Sequence, residues 1–138
     1  MDSKGLHYIA GGATPMVLHT PAMILRKAAA NLRKFEKCQG GKGSLWCSEI
    51  LADYQKTDAG FTFILDNVIE PGGSIGEHQR INDEEIYIIL SGHGIMTVDG
   101  VEHPVGEGDV CLSRSGHSHS LVNSTDGPMR FMVINAKK

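Results

Sequence analysis

Aromatic side chains are scarce in this chain: four Phe, three Tyr and one Trp among 138 residues. A core must therefore come mainly from aliphatic residues. Cysteine is scarce too. Cys38, Cys47 and Cys111 are odd in number and form no C-x-x-C pair, which argues against a disulfide framework and fits a reducing, cytoplasmic setting. No stretch approaches the ~20 consecutive apolar residues of a membrane helix, and no membrane association is expected. Met1 to Ala10 holds one Lys and no apolar core, so export is not expected. There is no excess of basic charge: 13 Lys and Arg stand against 16 Asp and Glu, a net −3, which argues against bulk nucleic-acid binding. Nucleotide-binding glycine motifs are missing from any strand-to-helix context, and no Ser-His-Asp pattern surrounds Ser113, Ser115 or Ser118. A chain of this length fits one domain with its own core.

Glycine, by contrast, is plentiful, at 17 residues. Together with short apolar runs it predicts many tight turns and many short strands. Charge is uneven along the chain, summing to +3 over residues 1–60 and −6 over residues 61–138. Thr20-Pro21 reads as a helix start. Ile24, Ala28, Leu32 and Phe35 then form one amphipathic stripe, which predicts a helix within an N-terminal arm over residues 1–42, with Arg26, Lys27, Arg33, Lys34 and Lys37 mostly off the stripe. Gln39 to Gly43 ends that regime. Beyond it, strands are predicted around 61–70, 86–90, 95–98, 101–105, 109–112 and 130–134. Asp99-Gly100 is the strongest local hairpin signal, because a type I′ turn needs positive φ at both central residues. At least six short strands with glycine turns imply a sandwich or a small closed barrel over residues 43–138.

Histidine is the unevenly placed chemical resource. Five of the seven, His78, His93, His103, His117 and His119, fall within residues 78–119, together with Glu84-Glu85. Imidazole and carboxylate are the usual protein ligands of divalent first-row metals. Spacing then narrows the choice. Gly72, His78, Arg80, Glu85 and Gly92 follow one another with five, one, four and six intervening residues. Gly108, Arg114, Gly116, His119 and Asn123 follow with five, one, two and three. This arrangement resembles the two motifs of the cupin superfamily, G-x5-H-x-H-x(3,4)-E-x6-G and G-x5-P-x-G-x2-H-x3-N. The text Pro71 to Gly76 and Glu84 to Tyr87 resembles small single-domain bacterial cupins, and the likeness covers about residues 43–135.

The resemblance implies an all-β double-stranded β-helix, the cupin or jelly-roll barrel, and a homodimer. It implies His78, Glu85 and His119 as ligands of a divalent transition metal of the Fe, Mn, Ni or Zn kind. The fourth family ligand falls on Arg80, whose guanidinium has no lone pair to give. Two readings of Arg80 stand side by side. It lines the cavity of a two-histidine, one-carboxylate site and clamps an anionic substrate group, or it pairs with Glu85 and disfavours the ion. At an effective dielectric near 20 and ~4 Å, each such charge pair is worth about 4 kcal/mol, against roughly 10 kcal/mol for a complete ligand set. Arg80 and Tyr87, which shares the parity of Glu85, are the candidate catalytic residues. His117 is a candidate for the barrel mouth, and His93 and His103 read as surface residues.

Two functions remain open at this point. One is a metal-dependent enzyme acting on a small polar or anionic metabolite, of a decarboxylase, isomerase, lyase or dioxygenase type. The other is a non-catalytic, possibly metal-free module for binding or sensing a small ligand.

Overall fold

The computed structural model describes residues 24–52 and 58–138. Among the described residues ten strands run in chain order: β1 (Asn31–Glu36), β2 (Ser44–Leu51), β3 (Phe61–Ile69), β4 (Ser74–Gln79), β5 (Asp83–Ser91), β6 (His93–Val98), β7 (Val101–Gly106), β8 (Val110–Ser113), β9 (Ser118–Val122) and β10 (Met129–Lys137). They form two antiparallel sheets. The larger has the order β1-β2-β3-β10-β5-β8 and the smaller β4-β9-β6-β7. This is the all-β barrel that the spacing and the resemblance imply.

Period-2 alternation fixes which side chains turn inward. On β10, Met129, Phe131, Val133 and Asn135 are buried while Arg130, Met132 and Ile134 are less so. On β5 the buried set is Glu85, Tyr87 and Ile89. Leu45, Cys47, Ile69, Ile75, Met96 and Leu121 complete the core from both sheets, which is aliphatic as the shortage of aromatics requires. The Asp99-Gly100 hairpin forms as read, with φ of 47° and 81° at its two central residues.

One element differs from the sequence reading. The described part of the expected helix is a 3₁₀ turn, Lys27–Ala29, followed by strand β1. Ile24 and Leu32 of the apolar stripe are exposed, Leu32 at 61%, and only Phe35 packs against the core. Residues 31–36 pair in register with Glu49 to Ser44 of β2, so tertiary strand pairing overrides the helical periodicity. The large sheet accordingly begins at residue 31 and not at residue 43. Thr20-Pro21 lies outside the described residues. Among the described residues no helix is long and apolar enough to cross a membrane.

Candidate metal centre

His78 and His119 occupy register-paired positions on neighbouring strands β4 and β9, so both rings project to the same face. Their centroids lie 4.3 Å apart, edge to face, with Nε2 of one 2.9 Å from Nε2 of the other. Glu85 reaches the pair from β5 in the opposite sheet, its Oε1 lying 3.4 Å from His119 Nε2. One ligand atom from each of the three falls within 4.8 Å of the others. Glu85 and His119 are buried, at 3% and 1% exposure, and His78 is partly so.

Each of these groups is held by a neighbour. His78 Nδ1 lies 2.8 Å from the carbonyl oxygen of Gly76. A carbonyl only accepts, so Nδ1 carries the proton and Nε2 presents its lone pair inward. Burial holds the His78 pKa below its ordinary value, which favours that neutral form. His119 Nδ1 meets Ser113 Oγ at 2.5 Å. Ser113 and Asn135 are the two cross-strand partners of Glu85, on β8 and β10. Asn135 Nδ2 lies 3.3 Å from Glu85 Oε2 and donates to Asp83 Oδ2 at 3.0 Å. One row of the sheet thus carries the carboxylate and the supports for two of the three groups. Neither Ser113, Asn135 nor Asp83 was singled out as a site residue from the sequence. For Ser113 and Asn135 the signal is register with Glu85, which becomes readable only once strand pairing is known; Asp83 is marked instead by its contacts with Arg80 across the turn between β4 and β5.

Arg80 makes the contact with Glu85 that the second of its two sequence readings names. Its Nη1 lies 3.3 Å from Glu85 Oε2. Its Nε and Nη2 also donate to the two oxygens of Asp83, at 2.9 and 2.6 Å. The Asp83 pair holds the Asp83 carboxyl below its ordinary range and Arg80 above its own. The fork that would clamp an anion is therefore largely occupied. With Asp83 counted, the local charges of Arg80, Asp83 and Glu85 sum to −1, so Arg80 repels a cation less than it would alone.

The donor set fits a divalent ion. Glu85 Oε1 is buried and has no hydrogen-bond partner, yet it faces two imidazole nitrogens. An unpaired buried carboxylate oxygen costs roughly 1–3 kcal/mol or more, and a cation bound between these three atoms would satisfy it. Both imidazoles have their outer nitrogen engaged, the usual arrangement behind metal-binding histidines.

Tyr87, two residues beyond Glu85 on the same face, is 3% exposed. Its hydroxyl lies 3.3 Å from His119 Nε2, and its ring stacks on Phe131 at 5.5 Å between centroids. Burial, and then the Glu85 charge, push its pKa well above the ordinary phenol value. His117 does not join the group. It is half exposed and pairs with Asp99 at 2.5 Å. His93 is exposed beside the backbone of Gly106, and His103 lies on β7 away from the trio. Asn123, the last residue of the second motif, has a structural role: its amide nitrogen donates to the carbonyls of Ile69 and Gly127.

A cavity of about 220 Å³ opens beside the trio. Its walls are mostly apolar, with Phe63, Leu65, Ile75 and Val133 among them, and the polar groups of His78, Arg80, Glu85 and Asn67 interrupt them. Two thiols, Cys38 and Cys47, also line it. Burial, reinforced by Glu49, pushes the Cys47 pKa up to about 12, so that thiol stays protonated near neutral pH.

The family model described as the cupin domain matches residues 67–135. The oxalate-binding protein of Thermotoga maritima is 30% identical over 112 residues, which span 81% of this chain and 92% of that protein. The crystal structure of a predicted oxalate decarboxylase from Thermotoga maritima aligns with a TM-score of 0.77 at 28% identity, covering 84% of this chain and 100% of that one. A sugar phosphate isomerase from a cupin superfamily, from Silicibacter pomeroyi, aligns with a TM-score of 0.61 over 78% of this chain and 72% of its own. At 21% identity that last likeness is one of fold alone.

Proposed function

This chain belongs to the cupin domain family, and from that premise we propose that it is a metal-dependent enzyme acting on a small carboxylate. His78, Glu85 and His119 would hold a divalent ion, and the cavity beside them would admit the carboxylate. The observation that carries this reading is the buried, unpartnered Glu85 Oε1 facing two imidazole nitrogens 2.9 Å apart. The ligand class rests on the names of the relatives, an oxalate-binding protein and a predicted oxalate decarboxylase.

A bound ion of this kind supplies Lewis acidity to a carboxylate or carbonyl oxygen. The chain's own groups prepare the place. Gly76 and Ser113 orient the two imidazoles. Asn135 and Arg80 engage Glu85 Oε2 and leave Oε1 turned inward. Tyr87 keeps its proton and offers it as a hydrogen bond to a substrate oxygen. Arg80, after its contacts with Asp83 and Glu85, retains one N–H on each terminal nitrogen for the substrate anion.

The test begins with untagged protein prepared without added metal, titrated with Mn, Fe, Ni or Zn and assayed for bound metal. One equivalent is expected. Glu85→Gln and His119→Ala should each weaken uptake by more than about a hundredfold, since a three-ligand set has no donor to spare. Wild-type protein that takes up none of these ions refutes the proposal. Arg80→His should tighten binding by at least about tenfold, because it removes a positive charge and adds a donor. An unchanged affinity would mean that position 80 does not face the ion.

A second reading, a carboxylate-binding protein without turnover, is favoured by the occupied fork of Arg80 and by the relative named for oxalate binding. Metal-loaded protein mixed with small carboxylates and followed by NMR separates the two. Shifted ligand resonances with no new product support the binder.

A further inference from the structure

Two buried side-chain oxygens among the described residues lack a hydrogen-bond partner, and both belong to residues that line the same cavity. One is Glu85 Oε1, whose place at the candidate metal centre accounts for it. The other is Asn67 Oδ1, on β3, and nothing in the fold accounts for that one. Asn67 is 3% exposed. Its same-face neighbours Leu65 and Cys47, and Phe131 across the register, are apolar. A polar amide among such residues is costly unless something in the cavity pairs with it.

Register gives its distance from the centre. Asn67 pairs with Phe131 on one edge of β10, and Glu85 pairs with Asn135 on the other. Four residues along the strand and two strand spacings separate them, at most roughly 16 Å between Cα atoms along the sheet. Both side chains lean into the same cavity, so the gap between their polar ends is shorter, of the order of a chain of several carbons. The cavity of about 220 Å³ has room for such a molecule, since a single water needs only ~10–15 Å³ by the same measure.

We propose that Asn67 is a specificity-determining residue, and that the ligand is a carboxylate longer than two carbons with a hydroxyl at its far end. The carboxylate sits at the centre, the apolar body lies against Leu65 and Val133, and the hydroxyl meets the Asn67 amide. The oxygen of Asn67 is closed off from water. A turn about its terminal torsion brings either the oxygen or the amide nitrogen to the cavity, and a hydroxyl can pair with both. The inference rests on the carboxylate reading above but departs from oxalate, which has no group to offer Asn67.

Calorimetry on the metal-loaded full chain tests it with three probes: oxalate, hexanoate and 6-hydroxyhexanoate. The wild type should bind 6-hydroxyhexanoate about fivefold more tightly than hexanoate, the worth of one neutral hydrogen bond. In Asn67→Leu that preference should vanish while oxalate binding stays unchanged. This variant removes an unpaired buried oxygen and keeps the branching and number of heavy atoms of the side chain, its extra bulk facing the cavity, so it is expected to fold; Asn67→Ala serves as a second variant with the same expected loss of preference. Equal affinity of the wild type for the two longer acids, with oxalate still bound, overturns this proposal alone. A preference that survives in both Asn67 variants does the same. Failure of the wild type to bind any of the three, oxalate included, overturns the carboxylate reading and this inference with it.

Discussion

Ser113 illustrates how one hydroxyl can set the chemistry of a buried imidazole. If Ser113 Oγ accepts from His119 Nδ1, the inner nitrogen is left free to coordinate; if it donates, the inner nitrogen carries a proton and coordination is blocked. Ser113→Ala should therefore lower metal affinity by about 10–100-fold, as loss of an outer hydrogen bond to a ligand commonly does. Titration calorimetry beside an unchanged far-ultraviolet circular dichroism spectrum would check it, and unchanged affinity would show that Ser113 does not orient the ring. The residues the sequence could point to, His78, Glu85 and His119, stand at fixed motif spacings and converge in the fold. Ser113 and Asn135 were not legible because their role depends on being register partners of Glu85, from strands 28 and 50 residues away. Asp83 escaped notice for a different reason. Its pairing with Arg80 depends on how the turn between β4 and β5 folds back, with Asn82 at φ 60°.

At the scale of elements, β4 depends on a close approach that leaves no room for a side chain. A Cβ at Gly76 would lie 2.2 Å from the Gln39 carbonyl oxygen, and one at Gly41 would lie 2.3 Å from the Ser74 carbonyl oxygen. The 3₁₀ turn Cys38–Gly40 is thereby pressed against the strand that carries His78, and Cys38 and Gln39 form part of the cavity wall. Gly76→Ala must push the two backbones apart, at a cost of about 1–3 kcal/mol, the usual range for overpacking. Gly60→Ala, at a position with open space around it, should be near neutral. Urea midpoints for the pair give the comparison, and equal midpoints would show that the approach is not strained by a methyl. The glycine count foretold turns, and the Asp99-Gly100 hairpin was legible in full because its signal is local. Strand β1 was not. Ile24, Ala28, Leu32 and Phe35 have helical spacing, and only the free edge of β2, which no local pattern announces, makes residues 31–36 extended.

For the molecule as a whole, Asp66 ties distant parts of the chain together. Its buried carboxylate accepts from Arg130 on β10 at 3.0 and 2.7 Å and pairs with Lys27 of the first 3₁₀ turn at 3.0 Å. The Arg130 bonds hold its pKa below the ordinary carboxylate value despite burial. Because the folded value is the lower one, the unfolded chain takes up the proton first as pH falls. The stabilisation is complete above the unfolded value of about 3.9 and is lost as pH drops from there through the folded value. Asp66→Asn should cost about 2 kcal/mol at neutral pH, in the range of hydrogen bonds to charged groups, and should flatten the acid limb of a plot of stability against pH. Parallel acid limbs for the two proteins would refute this. Strand number and glycine turns made a sandwich or a small barrel legible, and the motif resemblance chose the barrel, but the order of strands within the sheets was not legible. That order has a bearing on biosynthesis. β10 is the last strand in chain order, yet it lies between β3 and β5 and pairs with both. While residues 129–137 are still untranslated, the large sheet is two fragments with a gap between them, even though every metal-ligand candidate has already been made. A ribosome stalled ahead of that strand would hold a chain with two unpaired inner edges, the form most open to chaperones and to aggregation.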